Sequence, residues 1–159
     1  MEIVCQNTDM AQDGIELDSS LGYLVKEVSS ALRLAMEEVL RPLGMTITHY
    51  SCLELLSQRP GLSNSELARG AFVTRQSMNV LLQSLEREGQ VSRSEDAPVG
   101  KALPTRLTPE GARRLAEASS AVRSVEVRML RGLSEADQAA VTGALRAMVA
   151  ALRAPQPSP

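Results

Sequence analysis

Two apolar seams constrain this chain more than any other feature of it. Leu21, Val25, Val28, Leu32, Ala35 and Val39 follow one another in alternating steps of four and three. Leu115, Ala118, Val122, Val125 and Met129 repeat the pattern in steps of three and four, and Val141, Leu145, Met148 and Leu152 line one side of a third run. A mean step of about 3.5 keeps a stripe of helix turned toward a partner helix along its whole length. One small domain in a chain of 159 residues has too little interior for all three stripes. The surplus predicts helices that pair between two copies, with Leu21, Val25, Val28, Val122, Val125, Met129, Val141, Leu145, Met148 and Leu152 at the interface.

Between the long seams the punctuation is dense. Pro42 and Gly44 stop the first helix, which the pattern runs from Asp18 to Arg41. Thr46 caps a short helix that closes before Pro60-Gly61. Ser63 and Glu66 form a capping box for another short helix, Asn64 to about Gly70. Thr74 caps a third, and Gly89 stands where a terminating glycine belongs. Gln90–Ser94 and Ala102–Leu107 read as two short strands around a turn containing Pro98 and Gly100. Thr108-Pro109 opens a long helix, and Ser134 with Asp137 caps the last one.

Three short helices and a hairpin are the pattern of a winged helix-turn-helix. The expected fold is mainly α with a small β-hairpin, a winged helix-turn-helix domain flanked by long dimerisation helices. Its parts are a tail over 1–17, a dimerisation helix over 18–44, the winged domain over 45–107, two further dimerisation helices over 108–153 and a tail over 154–159.

Charge adds direction. The chain carries a net charge of −2, but residues 1–58 hold 3 basic and 9 acidic groups while residues 59–106 hold 7 and 5. The basic share falls on the middle of the pattern: the third short helix, TRQSMNVLLQSLEREGQ, lies in that segment. Its apolar row is Met78, Leu81, Leu82 and Leu85, and its opposite row is Gln76, Asn79, Gln83 and Arg87 with Val80 among them. A solvated face accepts Glu and Lys. Amides match the paired donor and acceptor of adenine, Arg matches guanine, and an apolar side chain matches the thymine methyl. In a helix-turn-helix the start of the second helix meets base edges. The expected base-contacting residues are therefore Arg75, Gln76, Asn79, Val80 and Gln83, with packing against the wing as the other reading of Val80. Ser63, Thr74, Ser77, Arg93, Lys101 and Arg106 are the expected backbone and wing contacts, which add affinity and salt dependence without specificity.

The segments LSNSELA, VTRQSM, LEREGQV and LTPEG, in this order, resemble the MarR family of bacterial winged helix-turn-helix regulators over about residues 18–153. The resemblance implies a homodimer on pseudo-palindromic double-stranded DNA, in many members a repressor. It also implies release by a small aromatic or amphipathic effector in the crevice between the dimerisation and DNA-binding parts, where Met45, His49 and Tyr50 are the candidate lining. Two segments depart from the family pattern. Its wing carries Asp-x-Arg near the tip, whereas this chain has Asp96-Ala97-Pro98 with Lys101 as the nearest base. Its peroxide-sensing branch has a cysteine where Leu21-Gly22-Tyr23 has glycine.

Other chemistry has little support. His49 and Cys52 are spaced for a shared helix face, but two ligands fall short of the four a structural zinc takes, so neither metal nor cofactor is expected. No phosphate-binding glycine loop and no nucleophile motif points to an enzyme. Aromatics are only 2%, which argues against a base-stacking surface. The amino-terminal stretch lacks a secretory pattern, and no apolar run approaches the ~20 residues of a membrane span, so the expected location is the cytoplasm. Two rival readings stay open on the sequence: a winged-helix protein–protein module, favoured by Glu95 and Asp96 near the wing tip, and a redox regulator using Cys5 or Cys52.

Overall fold

The computed structural model describes residues 16–93 and 104–155. Its elements run α1 (Leu21–Leu40), α2 (Ile47–Gln58), α3 (Asn64–Gly70), α4 (Arg75–Arg87), β1 (Val91–Arg93), β2 (Thr105–Leu107), α5 (Pro109–Met129) and α6 (Glu135–Arg153). Single 3₁₀ turns flank α1 at Leu17–Ser19 and Arg41–Leu43. Helix α1 starts at Leu21, later than the apolar pattern suggests, because the Ser20 hydroxyl accepts from the Tyr23 amide and sets the cap there.

Local chemistry fixes the helix starts. Thr46, Thr74 and Thr108 each accept an amide from the third residue beyond, and Ser63 and Ser134 form complete capping boxes with Glu66 and Asp137. The donated hydrogen bonds of those serines hold both carboxyls below the usual carboxylate range.

Helices α2, α3 and α4 enclose the core of the winged domain, with Leu53, Leu56, Leu67, Met78, Leu82 and Leu85 buried in it. β1 and β2 pair antiparallel, Val91 opposite Leu107 and Arg93 opposite Thr105. Residues 94 and 102–103, which the sequence assigned to the strands, lie outside the described residues. Beside the two-stranded sheet lies an isolated bridge that the punctuation of Pro60-Gly61 concealed. Thr105 donates its amide to the Leu62 carbonyl and accepts from the Gly61 amide, so the α2–α3 connection is bridged to β2.

Helix α5 runs along α1 and reaches α2, which joins the long helices to the winged domain. Leu115 and Ala118 are buried at that junction. Val125 is only 3% exposed, so it is consumed within the protomer. That corrects the expectation placing it between two copies, and Val122, half-buried against the same core, is partly consumed too. The amino-terminal half of α1 behaves differently: Leu21, Leu24, Val25 and Val28 are exposed, and further along the helix so is Leu34. Helix α6 buries no residue at all. Val141, Leu145 and Leu152 are exposed, and Met148 is half-covered. No described helix is long and apolar enough to cross a membrane.

One glycine position is set by close approach. A Cβ on Gly111 would lie 2.0 Å from the carbonyl oxygen of Gln90, which is backbone and cannot rotate away. Gly111→Ala is expected to destabilise the fold by about 1–3 kcal/mol through this overlap, read as a lower urea midpoint; an unchanged midpoint would mean that the α5–Gln90 contact is loose.

Candidate nucleic-acid interface and effector groove

The start of α4 is built as a presented surface. Thr74 accepts from the Ser77 amide at 3.1 Å and donates its hydroxyl to Ser77 Oγ at 2.9 Å, which leaves the Ser77 hydroxyl proton for an outside acceptor. From α3, Asn64 donates its side-chain amide to the Arg75 carbonyl at 3.2 Å, so α3 holds the first turn of α4 in place. Met78, Leu82 and Leu85 seat the helix inward, and Arg75, Gln76 and Gln83 are exposed on the other side. Asn79 is half-buried, and Val80 is 62% exposed, with its side chain in water among the described residues. Arg87 folds back, its Nε donating to the Gln83 carbonyl at 3.2 Å.

The expected backbone contacts divide. Ser77, Thr74 and Arg106 are exposed. The Ser63 hydroxyl is already committed to Glu66, donating to its carboxylate at 2.7 Å. Arg93 departs from its expected role: its guanidinium pairs with Glu86 at 3.2 Å and its side chain is 17% exposed, so it ties β1 back to α4 instead of reaching outward. The pairing uses a carboxylate in the last turn of α4, and spacing along the chain does not reveal that it meets the first strand. Lys101, Glu95 and Asp96 lie outside the described residues, as does Cys5.

Below α4 lies a buried polar joint. Gln90, 5% exposed, donates its amide to Glu88 at 2.7 Å. A carboxylate only accepts, so the Gln90 carbonyl oxygen faces the other way, where it meets His49 Nε2 at 2.8 Å. This network assigns the proton of neutral His49 to Nε2. Burial pushes the His49 pKa below its ordinary value of 6.5, with the nearby Arg114 adding to that, while the Gln90 hydrogen bond and Glu88 oppose it. The Gln90 main chain is used as well. Its amide closes the end of α4 on Leu85 and its carbonyl accepts from the Thr108 amide. The Thr108 hydroxyl donates to the Gly89 carbonyl, and Arg114 Nη2 donates to the Leu43 carbonyl at 2.6 Å.

The three residues expected to line one crevice are not together. Met45 borders a groove of ≈ 870 Å³ between α1 and α2, with Leu32, Met36 and Ile47 as apolar lining and Arg33, Arg41 and Glu37 as charged lining. His49 is interior, held by Gln90. Tyr50 borders a separate pocket with Glu54, Ser119 and Arg123, and burial raises its phenol pKa. A helical wheel gives the side of α2 on which each residue falls, but not what packs there. Phe72, from the turn between α3 and α4, also borders the groove and had no sequence signal beyond an aromatic in a turn.

Cys52 is fully buried, and burial pushes its thiol up to about 12. A thiol so protonated is a poor nucleophile. The redox reading loses its described cysteine. Among the described residues no group of three or more His, Cys, Asp or Glu side chains is placed to hold a metal ion.

The comparisons agree with this geometry. The family model described as MarR family matches residues 43–102. Over 125 residues the chain is 42% identical to the HTH-type transcriptional repressor Rv2887 of Mycobacterium tuberculosis, covering 79% of this chain and 90% of that protein. The crystal structure of the M. tuberculosis MarR family protein Rv2887 in complex with salicylic acid superposes with a TM-score of 0.68 at 40% identity, covering 82% of this chain and 97% of that one. The complex of the same protein with DNA gives 0.67 at 38% identity, covering 82% and 98%.

The lowered pKa of His49 carries a pH dependence. The folded state favours neutral imidazole, so the unfolded chain takes up the proton first as pH falls below 6.5. The stabilisation is complete above that value and is lost toward the folded pKa. Wild-type protein should therefore lose urea resistance as pH falls through 6.5, and His49→Gln, which cannot titrate, should flatten that slope; equal slopes would remove His49 from the account.

Proposed function

Since the chain belongs to the MarR family, we propose that it is a DNA-binding transcriptional repressor that acts as a homodimer on a pseudo-palindromic operator and is released by a small aromatic acid. The observation that carries this reading is the exposed face of α4. Arg75, Gln76, Val80 and Gln83 stand clear of the protein on a helix held by buried Met78, Leu82 and Leu85, with no carboxylate before Glu86. Amides and a guanidinium at the start of an anchored helix suit base edges in a major groove. The DNA complex of the relative at 38% identity supports the same use of the fold.

Residues 45–107 form the DNA-reading unit, with 18–44 and 108–153 as the pairing units. The exposed apolar stripes of α1 and α6 favour pairing, since a helix with no buried residue gains its stability from what covers it. Pairing through these helices sets two copies of α4 in successive major grooves, about 10 bp apart. The relative's complex with salicylic acid supports an aromatic acid as effector, and the α1–α2 groove offers apolar walls with Arg41 for its carboxylate, beside Arg33, which is paired with Glu37 at 2.7 Å. A repressor of this kind works where the chromosome is, in the cytoplasm.

Gln76→Ala and Asn79→Ala are each expected to weaken operator binding by about 5–150-fold while leaving affinity for shuffled DNA nearly unchanged, measured by fluorescence anisotropy. Loss of both affinities together would assign these residues to folding. Leu145→Asp in α6 should convert the dimer to monomer in sedimentation velocity and lower operator affinity with it; a dimer that persists would place the interface elsewhere.

A further inference from the structure

The chain ends two of its helices by the same hydrogen-bond scheme with different residues at the key position. At the end of α4, Gly89 occupies the left-handed region at φ 69°, with its amide on Glu86 and the Gln90 amide on Leu85. At the end of α3, the Phe72 amide meets the Arg69 carbonyl at 3.3 Å and the Val73 amide meets the Ala68 carbonyl at 3.0 Å. Here the left-handed residue is Phe72, at φ 57°, the one non-glycine residue with positive φ among those described. Its side chain is 86% exposed. An aromatic ring thus stands in water on a backbone conformation that favours glycine. Such strain persists where surroundings over-determine it and collects at switch regions.

The ring borders the α1–α2 groove, and it is the described lining residue that comes from between α3 and α4. Two residues later, Thr74 caps the recognition helix, and Asn64 of α3 bonds the Arg75 carbonyl. A displacement of residue 72 is therefore transmitted to the first turn of α4 through very little chain. We propose that Phe72 is the positioning residue through which occupancy of the groove reaches the DNA-reading helix. An aromatic carboxylate seated between Met36, Met45 and Ile47 takes the Phe72 ring as its cover, and the left-handed turn shifts with the ring. A ligand moves an equilibrium only by contacting one state better than the other, and the exposed ring supplies that differential contact. The inference rests on the effector-released repressor reading and adds the residue that transmits release.

Phe72 is the only phenylalanine in the chain, so uniform 4-fluorophenylalanine labelling puts one ¹⁹F resonance at residue 72. The experiment titrates salicylate into the labelled full-length protein, free and bound to operator DNA. The expected result is a saturable shift of that resonance over the salicylate concentrations that release the DNA. Phe72→Asn keeps a residue that tolerates the left-handed turn and removes the ring. Measured against its own operator affinity, the variant should need at least about tenfold more salicylate for release. A resonance that salicylate leaves unmoved, or a Phe72→Asn variant released at the wild-type concentration, overturns the inference alone. A wild-type protein that binds no DNA site sinks the repressor reading, and the inference with it.

Discussion

Gln90 joins three parts of the molecule through six hydrogen bonds of its own or of its neighbour Gly89. Its side chain couples His49 on α2 to Glu88 at the end of α4, and its backbone receives the cap of α5, where Gly111 leaves room for the approach. A buried amide with every group satisfied permits little sliding, because any displacement leaves a donor or acceptor unpaired at about 1–3 kcal/mol. Recognition helix, wing and long helix are thereby held in one orientation. DNA reading depends on that orientation. In the proposed dimer, base contacts depend on how each α4 is placed relative to the partner copy, and α5 packs on both α1 and α2.

The molecule divides its apolar surface accordingly. What lies between α1 and α5 closes inside the protomer, with Val125 and Ala118 buried. What lies on the outer half of α1 and on α6 is exposed, and the proposed pairing covers it with a second copy. In that proposed dimer the spacing of two reading heads is fixed, while the groove between α1 and α2 sits beside both α1 and the turn that leads into α4. Under the proposed function, ligand, partner and DNA all meet the same few joints, which would couple them in a small fold.

Much of this was legible from the residues because helix starts are local chemistry. Thr46, Ser63, Thr74, Thr108 and Ser134 each satisfy amides within three residues, so reading the cap reads the boundary. The inward row of α4 followed from periodicity for the same reason. Long-range partners were not legible. The Arg93–Glu86 pair, the Leu62–Thr105 bridge and the His49–Gln90 bond join residues brought together by tertiary packing. Periodicity marked Val125 as apolar and facing a helix, but could not say whether that helix belonged to the same copy. The crevice failed for a related reason: Met45, His49 and Tyr50 are close in sequence but point to three different neighbours. Phe72 was hidden because its importance lies in a dihedral angle.

The central claim is that paired copies of α4 read two half-sites in a fixed register. Sequencing the DNA fragments that the full-length protein protects tests it most directly. The account predicts an enriched inverted repeat whose half-site centres lie about one helical turn, or 10 bp, apart. Protected fragments that share no motif, or a single unrepeated half-site, would contradict it.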